Sequence, residues 1–427
     1  MRPSAKRVCL WALVAILSGS LGAFAAEPVT VIFPVRSGEG PFWEEVARIF
    51  NAQSDDVKVQ TEMQSGDWFA YVEKIQIMVS SGVSPDIVTT ALPSMAPLLA
   101  GDLLTDLTPF LERGTIDPNR FFPGVLDFLR TDGKLVLLPI GMTTTVAIVN
   151  EQHFAYYGVA LPSRSWRETW TWREFEEGAT ALTQVENGRL RSAAYEYYNS
   201  PTTYFPFIWG NGGAWVREGD GIPRVALKET ATVEALEFLR NVMEIQASPL
   251  AALESPGANF ERGNVAVRFT GAWWITPERH SMVNFSVYPL PLGRTGPVTS
   301  IATNPVGILK TAKNPEAAWK FFEWLHTPEG SEYFSQTGGF GVPVYRPTVD
   351  AHADKIFGYL AKEDLGAILE SMNYLRSEGV GPAFNELFNI FRDGFTAAVV
   401  RREIPISEFV ENAEQRSNAV LREAYSR

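Results

Sequence analysis

Apolar and polar positions follow two periods along most of this chain, and together these predict its elements. Val29-Thr-Val-Ile-Phe33 is an apolar run of strand length, broken by the loop Arg36-Ser-Gly-Glu-Gly40. Pro41 suits a first helical turn, and Phe42, Val46, Ile49 and Phe50 recur at helical spacing behind it. Val57, Val59, Thr61 and Met63 alternate as a second strand. Asp67 reads as the N-cap of a helix from Trp68 to Ser81, which Gly82 ends. Asp86 to Thr90 is a third, short strand. Strand–helix alternation at this spacing predicts a parallel sheet covered on both faces.

The pattern then changes. Leu135 to Pro139 reads as a strand, Ile140 to Thr145 is small and polar, and Val146 to Asn150 resumes strand character. Such a segment suits a crossing between two lobes. Ser300 to Leu309 is a second crossing of this kind, and Gly338 to Arg346 a third. Between them, Thr171 caps a helix carrying Trp172, Phe175, Ala179 and Leu182. A turn at Glu218 to Gly221 precedes a helix through Val233, Leu236 and Leu239. Val265 to Phe269 is a strand running into Gly271-Ala-Trp273-Trp274, and Phe285 to Tyr288 is another. Pro315 opens a helix with Ala318, Phe321, Phe322 and Leu325 inward, and helices close the chain.

Residues 195–215 fit neither period. Tyr195, Tyr197, Tyr198, Tyr204, Phe205, Phe207, Trp209 and Trp215 are interleaved with prolines, glycines and amides rather than aliphatics. Aromatic faces beside amide and backbone groups suit a ligand with apolar CH faces and hydroxyl edges, such as a sugar. The same rings could also plug a core. Trp209 precedes Gly210-Asn-Gly-Gly213, a setting that offers no helix or strand to bury it.

Composition narrows the class. The 427 residues suffice for two or three domains, and 45% hydrophobic with 20% charged residues is ordinary for a globular protein. Arg2, Lys6 and Arg7 precede the apolar run Val8 to Leu21 and the small-x-small site Ala23-Phe24-Ala25, which predicts a signal peptide over residues 1–25. Cleavage after Ala25 removes three basic residues and takes the formal net charge from −12 to −15. That acidic balance argues against nucleic acid. Cys9, the only cysteine, lies near the start of the apolar run, so the mature chain is expected to lack thiols, disulfides and lipid. The periplasm is the expected compartment.

Catalytic signatures are missing. The chain has no phosphate-cradling G-x-x-x-x-G-K-[ST], no G-x-S-x-G and no H-E-x-x-H. His153, His280, His326 and His352 do not pair at ligand spacing, and Asp220 in its glycine-rich turn lacks EF-hand spacing. No metal or cofactor is expected.

A resemblance gathers these signals. Gly82-Val-Ser-Pro-Asp86-Ile-Val, Leu104-Thr-Asp-Leu-Thr108 and Gly133-Lys-Leu-Val-Leu-Leu-Pro139 occur in order. Thr171-Trp172-Arg-Glu-Phe175, Phe260-Glu-Arg-Gly-Asn-Val-Ala266-Val followed by Gly271-Ala-Trp273, and Lys313-Asn-Pro-Glu-Ala-Ala318 come after them. Together they resemble the family 1 extracellular solute-binding proteins of bacterial ABC importers, the maltose-binding-protein-like group, over nearly the whole mature chain. Val267-Arg268 departs from that pattern where methionine is frequent, and so does Arg36, where a neutral or aromatic residue is common. Arg36 could meet an anionic group or sugar hydroxyls, or simply pair with Glu39 or Asp67.

The resemblance implies an α/β fold of the type II periplasmic binding protein class: two lobes, a hinge of crossing strands and ligand in the cleft. Lobe 1 would take residues 26–141 plus 304–341, and lobe 2 residues 142–303 plus 342–427. Ligands in open α/β sheets lie at the carboxyl ends of strands. The candidate contacts are therefore Arg36, Glu39, Asp67, Trp68, Thr90, Met142, Thr143, Tyr204, Trp209, Asn211, Gly271, Trp273, Trp274, Asn304, Phe340, Arg346 and Arg376. If the segment after Gly271 is extended, Trp273 and Trp274 point opposite ways, and Trp273 is expected to face ligand. The implied function is periplasmic capture of a mono- or oligosaccharide by a monomer that delivers it to an inner-membrane ABC permease. A polyol phosphate or other anionic solute is the alternative ligand, given Arg36, Arg346 and Arg376. An exported glycoside hydrolase would need a carboxylate pair that sequence cannot show. A scaffold would show repeats or a sticky face, and neither is found.

Overall fold

The computed structural model describes residues 27–131, 133–187, 189–196, 200–217, 222–245, 259–336, 341–356, 358–377 and 383–426. The leader, Tyr197, Tyr198, the Glu218–Gly221 turn with Asp220, and Phe340 lie outside the described residues.

The first lobe begins as the periodicity predicts. Strand β1 (Val29–Arg36) pairs in parallel with β2 (Val57–Gln64), and helix α1 (Gly40–Gln53) connects them. α1 turns Trp43, Val46, Ala47 and Phe50 inward, and Trp43 meets Phe33 of β1 edge-on at 4.8 Å. Helix α2 (Trp68–Ser80) is capped by Asp67, whose carboxylate accepts from the backbone N–H of Phe69 (3.0 Å) and Ala70 (2.9 Å). Strand β3 (Ile87–Thr89) is held beside β1 by Asp86. This buried carboxylate accepts from Ile32 N (2.9 Å), Lys313 N (2.9 Å) and Asn314 N (3.4 Å).

The second lobe is built on β4 (Gly141–Val149). The small, polar first crossing and the strand expected after it are one continuous element, buried throughout. Chain order continues with α3 (Trp172–Leu182), β5 (Gln184–Glu186), β6 (Arg189–Glu196), α4 (Pro201–Gly210), α5 (Thr230–Ile245), β7 (Val265–Gly271) and β8 (Ser286–Tyr288). Then come β9 (Thr299–Thr303), β10 (Val306–Ile308), α6 (Pro315–Leu325), β11 (Val342–Pro343), α7 (Lys362–Ser371), β12 (Leu375–Arg376), α8 (Phe384–Phe395) and α9 (Ile406–Tyr425). Eight strands form one sheet in the order β12-β9-β4-β7-β6-β5, with β8 and β11 also paired to β4.

The parallel pairing predicted from residues 29–90 is present in β1 and β2. The sheet built on β4 is mixed: β4 is antiparallel to β7, β8, β9 and β11, and β7 is parallel to β6. β10 pairs antiparallel with β3, which returns the chain to the first lobe. α6 then packs on that lobe, with Phe321 against Phe33 and Phe50. On the far side of the junction, α8 packs against the turn Leu92–Ser94. Among the described residues, no helix is long and apolar enough to cross a membrane.

The aromatic stretch is also corrected. Residues 201–210 are helix α4, opened by Pro201 in the first turn, and residues 202–210 are all buried. A helix apolar all round is one enclosed on every side, so no amphipathic period marks it. Tyr204 stacks on Phe395 (4.5 Å) and Phe391 (5.5 Å) of α8. Phe207 meets Phe269 of β7 and Phe238 of α5.

Candidate functional site

The crossings bring distant residues together at the junction. Met142 pairs with Thr303 of β9 and with Val342 of β11. Thr303 Oγ1 donates to the carbonyl of Gly141 (2.6 Å). Asn304 follows directly, and the next carbonyl, of Pro305, accepts from Thr90 N and from Thr89 Oγ1, both at 3.2 Å. Thr90, Met142, Thr143 and Asn304 are thereby neighbours. Gly341 passes so close that a Cβ there would meet Thr143 Cγ2 at 2.2 Å, and its φ of +75° suits glycine.

The pleat sorts the threonines of β4. Neighbours along a strand face opposite sides, and residues opposite one another across a ladder share a side. Thr145 Oγ1 donates to the carbonyl of Thr202 (2.7 Å), so α4 covers this face at Thr145. Thr144 Oγ1 meets Ser371 Oγ (2.6 Å) on the α7 side. Thr143 shares the α4 face with Thr145, whereas Met142 is turned to the other side and fully buried. Gly271 pairs with Thr145, the β4–β9 register sets Ser300 opposite Thr145, and Ser300 pairs with Arg376. One row across four strands therefore reads Gly271, Thr145, Ser300, Arg376, and spans roughly 14 Å at the usual strand spacing.

That row carries features of a binding surface. Thr143 Oγ1 and Ser300 Oγ are buried without a hydrogen-bond partner among the described residues. An unpartnered buried hydroxyl costs about 1–3 kcal/mol, so two on one face call for an explanation. At one end of the row, the ring of Trp273 lies over Gly271, where an added Cβ would meet its Cζ3 at 1.7 Å. Trp273 is half-buried in the one-turn 3-10 helix Ala272–Trp274 that ends β7. At the other end, the guanidinium of Arg376 lies over the Trp209 ring, 5.0 Å from its centre.

The first lobe presents Arg36, Glu39 and Trp68 at the carboxyl ends of its strands. Arg36 Nε donates to Glu39 Oε2 (2.7 Å), its terminal nitrogen contacts Glu39 Oε1, and its guanidinium lies 4.9 Å from the Trp68 ring centre. Trp68 in turn meets Tyr71, whose hydroxyl donates to the carbonyl of Pro34 (2.8 Å).

Several other candidates are occupied elsewhere. Asp67 is exposed and spends its carboxylate on the α2 cap. Tyr204 is enclosed among rings of α4 and α8. Asn211 Nδ2 donates to the carbonyl of Ala231 (2.8 Å) and to Glu234 (2.9 Å), and its Oδ1 accepts from Arg294 (2.9 Å). Trp274 is core: it meets Phe285 and Phe260, with Arg268 and Arg279 over its ring. Arg346 is exposed over Phe122. Trp209 is only 4% exposed, contrary to the reading that its glycine-rich neighbours could not bury it. Phe205 stacks against one part of its surroundings and Arg376 covers its ring. Ser300 is absent from the sequence-derived candidates, and its only signal is its place in the second small, polar crossing.

Known proteins share this fold. The family described as bacterial extracellular solute-binding protein matches residues 36–332. A binding protein of Brucella abortus is 20% identical, covering 97% of this chain and 98% of its own length. An ABC substrate-binding protein of Listeria monocytogenes, solved in complex with cycloalternan, superposes with a TM-score of 0.76 at 22% identity, covering 92% of this chain and 98% of that one. The sugar-binding protein MalE of Xanthomonas citri superposes at 0.77 with 20% identity and the same coverage. At such identity the likeness to these structures is one of fold: two α/β lobes.

Proposed function

Because this chain belongs to the bacterial extracellular solute-binding proteins, we propose that it captures a carbohydrate between its lobes and delivers it to an ABC permease in the membrane. The observation that carries this reading is the row from Trp273 to Arg376: an aromatic face at one end, with the hydroxyls of Thr143 and Ser300, which have no partner among the described residues, on the same face. Sugars offer apolar CH faces to such a ring and hydroxyls to such donors. The cycloalternan bound by the Listeria protein and the description of the Xanthomonas protein as sugar-binding point the same way. Arg36, Glu39 and Trp68 form the opposing wall, and Asn304 and Thr90 line the hinge. The lobes divide near residues 141, 303 and 341, and closure is a hinge motion about those crossings. The protein is expected to act as a monomer. Export uses the leader ending at Ala25, which places the mature protein in the periplasm; intact mass of that fraction is expected to begin at Ala26.

The test is calorimetry and melting over mono- and oligosaccharides, with product analysis after long incubation. Binding and stabilisation with the sugar recovered intact are expected. Turnover would overturn the reading in favour of a hydrolase, and silence across the panel would overturn the carbohydrate assignment.

A further inference from the structure

The chemistry of the ligand can be narrowed further, an inference that rests on the carbohydrate reading. Three arginines are candidates for meeting an anionic group, and their surroundings separate them. Arg36 is neutralised by Glu39 through both carboxylate oxygens. Arg346 is exposed, where water solvates its charge. Arg376 differs from both. It is half-buried, it sits in the row beside Ser300, and its guanidinium lies over the Trp209 ring. Among the described residues no carboxylate pairs with it and no acceptor takes a hydrogen bond from it. Arg217, a second cation held by Glu229 at 2.7 Å, is near enough to repel it. Burial and that neighbour hold its pKa below the ordinary arginine value.

A guanidinium carries five donors, and leaving them unmet away from bulk water is unfavourable. The planar fork matches a carboxylate or phosphate in two-point contact. The Trp209 ring shields one face of the guanidinium, and Ser300 is its register partner on the neighbouring strand. We propose that the ligand is an acidic carbohydrate whose carboxylate or phosphate sits on Arg376, while its hydroxyls meet Ser300 and Thr143. Trp273 lies at the opposite end of the same row, so the two ends of the site differ in character. The ligand therefore enters in one orientation, acid group toward Arg376 and a sugar ring toward Trp273.

The experiment is calorimetry on the mature chain with matched pairs: D-galacturonate against D-galactose, D-glucuronate against D-glucose, digalacturonate against galactobiose, and glucose 6-phosphate against glucose. The acidic member is expected to bind at least about tenfold tighter in one pair, with a preference that weakens as salt is raised. The uronate and phosphate arms distinguish the two acid groups. Arg376→Gln should bring the acidic-to-neutral ratio to about one, and Arg376→Lys, which keeps charge without the fork, should retain part of it. Arg376→Gln also gives up the contact with Trp209, so both variants are melted beside the native chain and affinities are taken for the folded fraction, which keeps lost binding distinct from lost folding. Equal affinity for acidic and neutral members in every pair, or an unchanged ratio in Arg376→Gln, overturns this proposal and leaves the carbohydrate reading standing. Failure of every sugar, acidic and neutral, overturns both.

Discussion

Gly271→Ala is expected to disable the Trp273 face without touching the indole itself. Gly271 has no positive φ, so alanine is sterically permitted by the backbone there. The obstacle is the ring: a Cβ would stand 1.7 Å from Trp273 Cζ3 and 1.9 Å from Cε3. Carbon atoms rest at about 3.5–4.0 Å, so the ring must withdraw by roughly 2 Å. A gap of about 1 Å already forfeits up to half of a van der Waals well, so a 2 Å shift abolishes stacking on a ligand docked to the original plane. The expected loss of affinity is on the order of 2 kcal/mol, the same as for Trp273→Ala. Trp273 is half-buried and can swing toward solvent, so the stability cost should stay near the low end of the 1–3 kcal/mol usual for overpacking. Calorimetry with the tightest sugar of the panel measures the first quantity, and urea unfolding the second. The double variant closes the cycle: with the ring gone, the added methyl meets nothing, and the double should bind like Trp273→Ala alone. Native affinity in Gly271→Ala, or losses that add in the double variant, would refute the stacking role.

Other expectations follow from the same geometry. Trp274→Ala should cost about 3–5 kcal/mol of stability in urea unfolding, since its ring is core, and should leave the affinity of the folded fraction near native. Asp86→Ala strands three backbone donors from two segments and should cost on the order of 3–5 kcal/mol, more than Asp86→Asn, which keeps one acceptor oxygen. Saturating ligand should reduce the radius of gyration in small-angle scattering if the crossings act as a hinge, and an unchanged radius at saturation would count against closure.

Much of the fold is legible in sequence because its signals are local. Pro41 and Pro315 do open their helices, and Thr171 with Glu174 forms a reciprocal cap. The small, polar stretches 141–145 and 299–303 pair with each other as β4 and β9, and ordered motifs carry the family. What sequence leaves open is which face of each ring or charge is covered, because that depends on partners remote in the chain. Tyr204 is enclosed by Phe391 and Phe395, and Asn211 is tied to Ala231, Glu234 and Arg294. Trp273 and Trp274 are adjacent and chemically identical, yet a one-turn helix after Gly271 buries one and leaves the other half-open. Arg36 and Arg376 likewise look alike in sequence. Only the tertiary fold seats one against Glu39 and leaves the other over Trp209 with no carboxylate partner among the described residues, because long-range packing, not residue type, decides where a buried charge finds its partner.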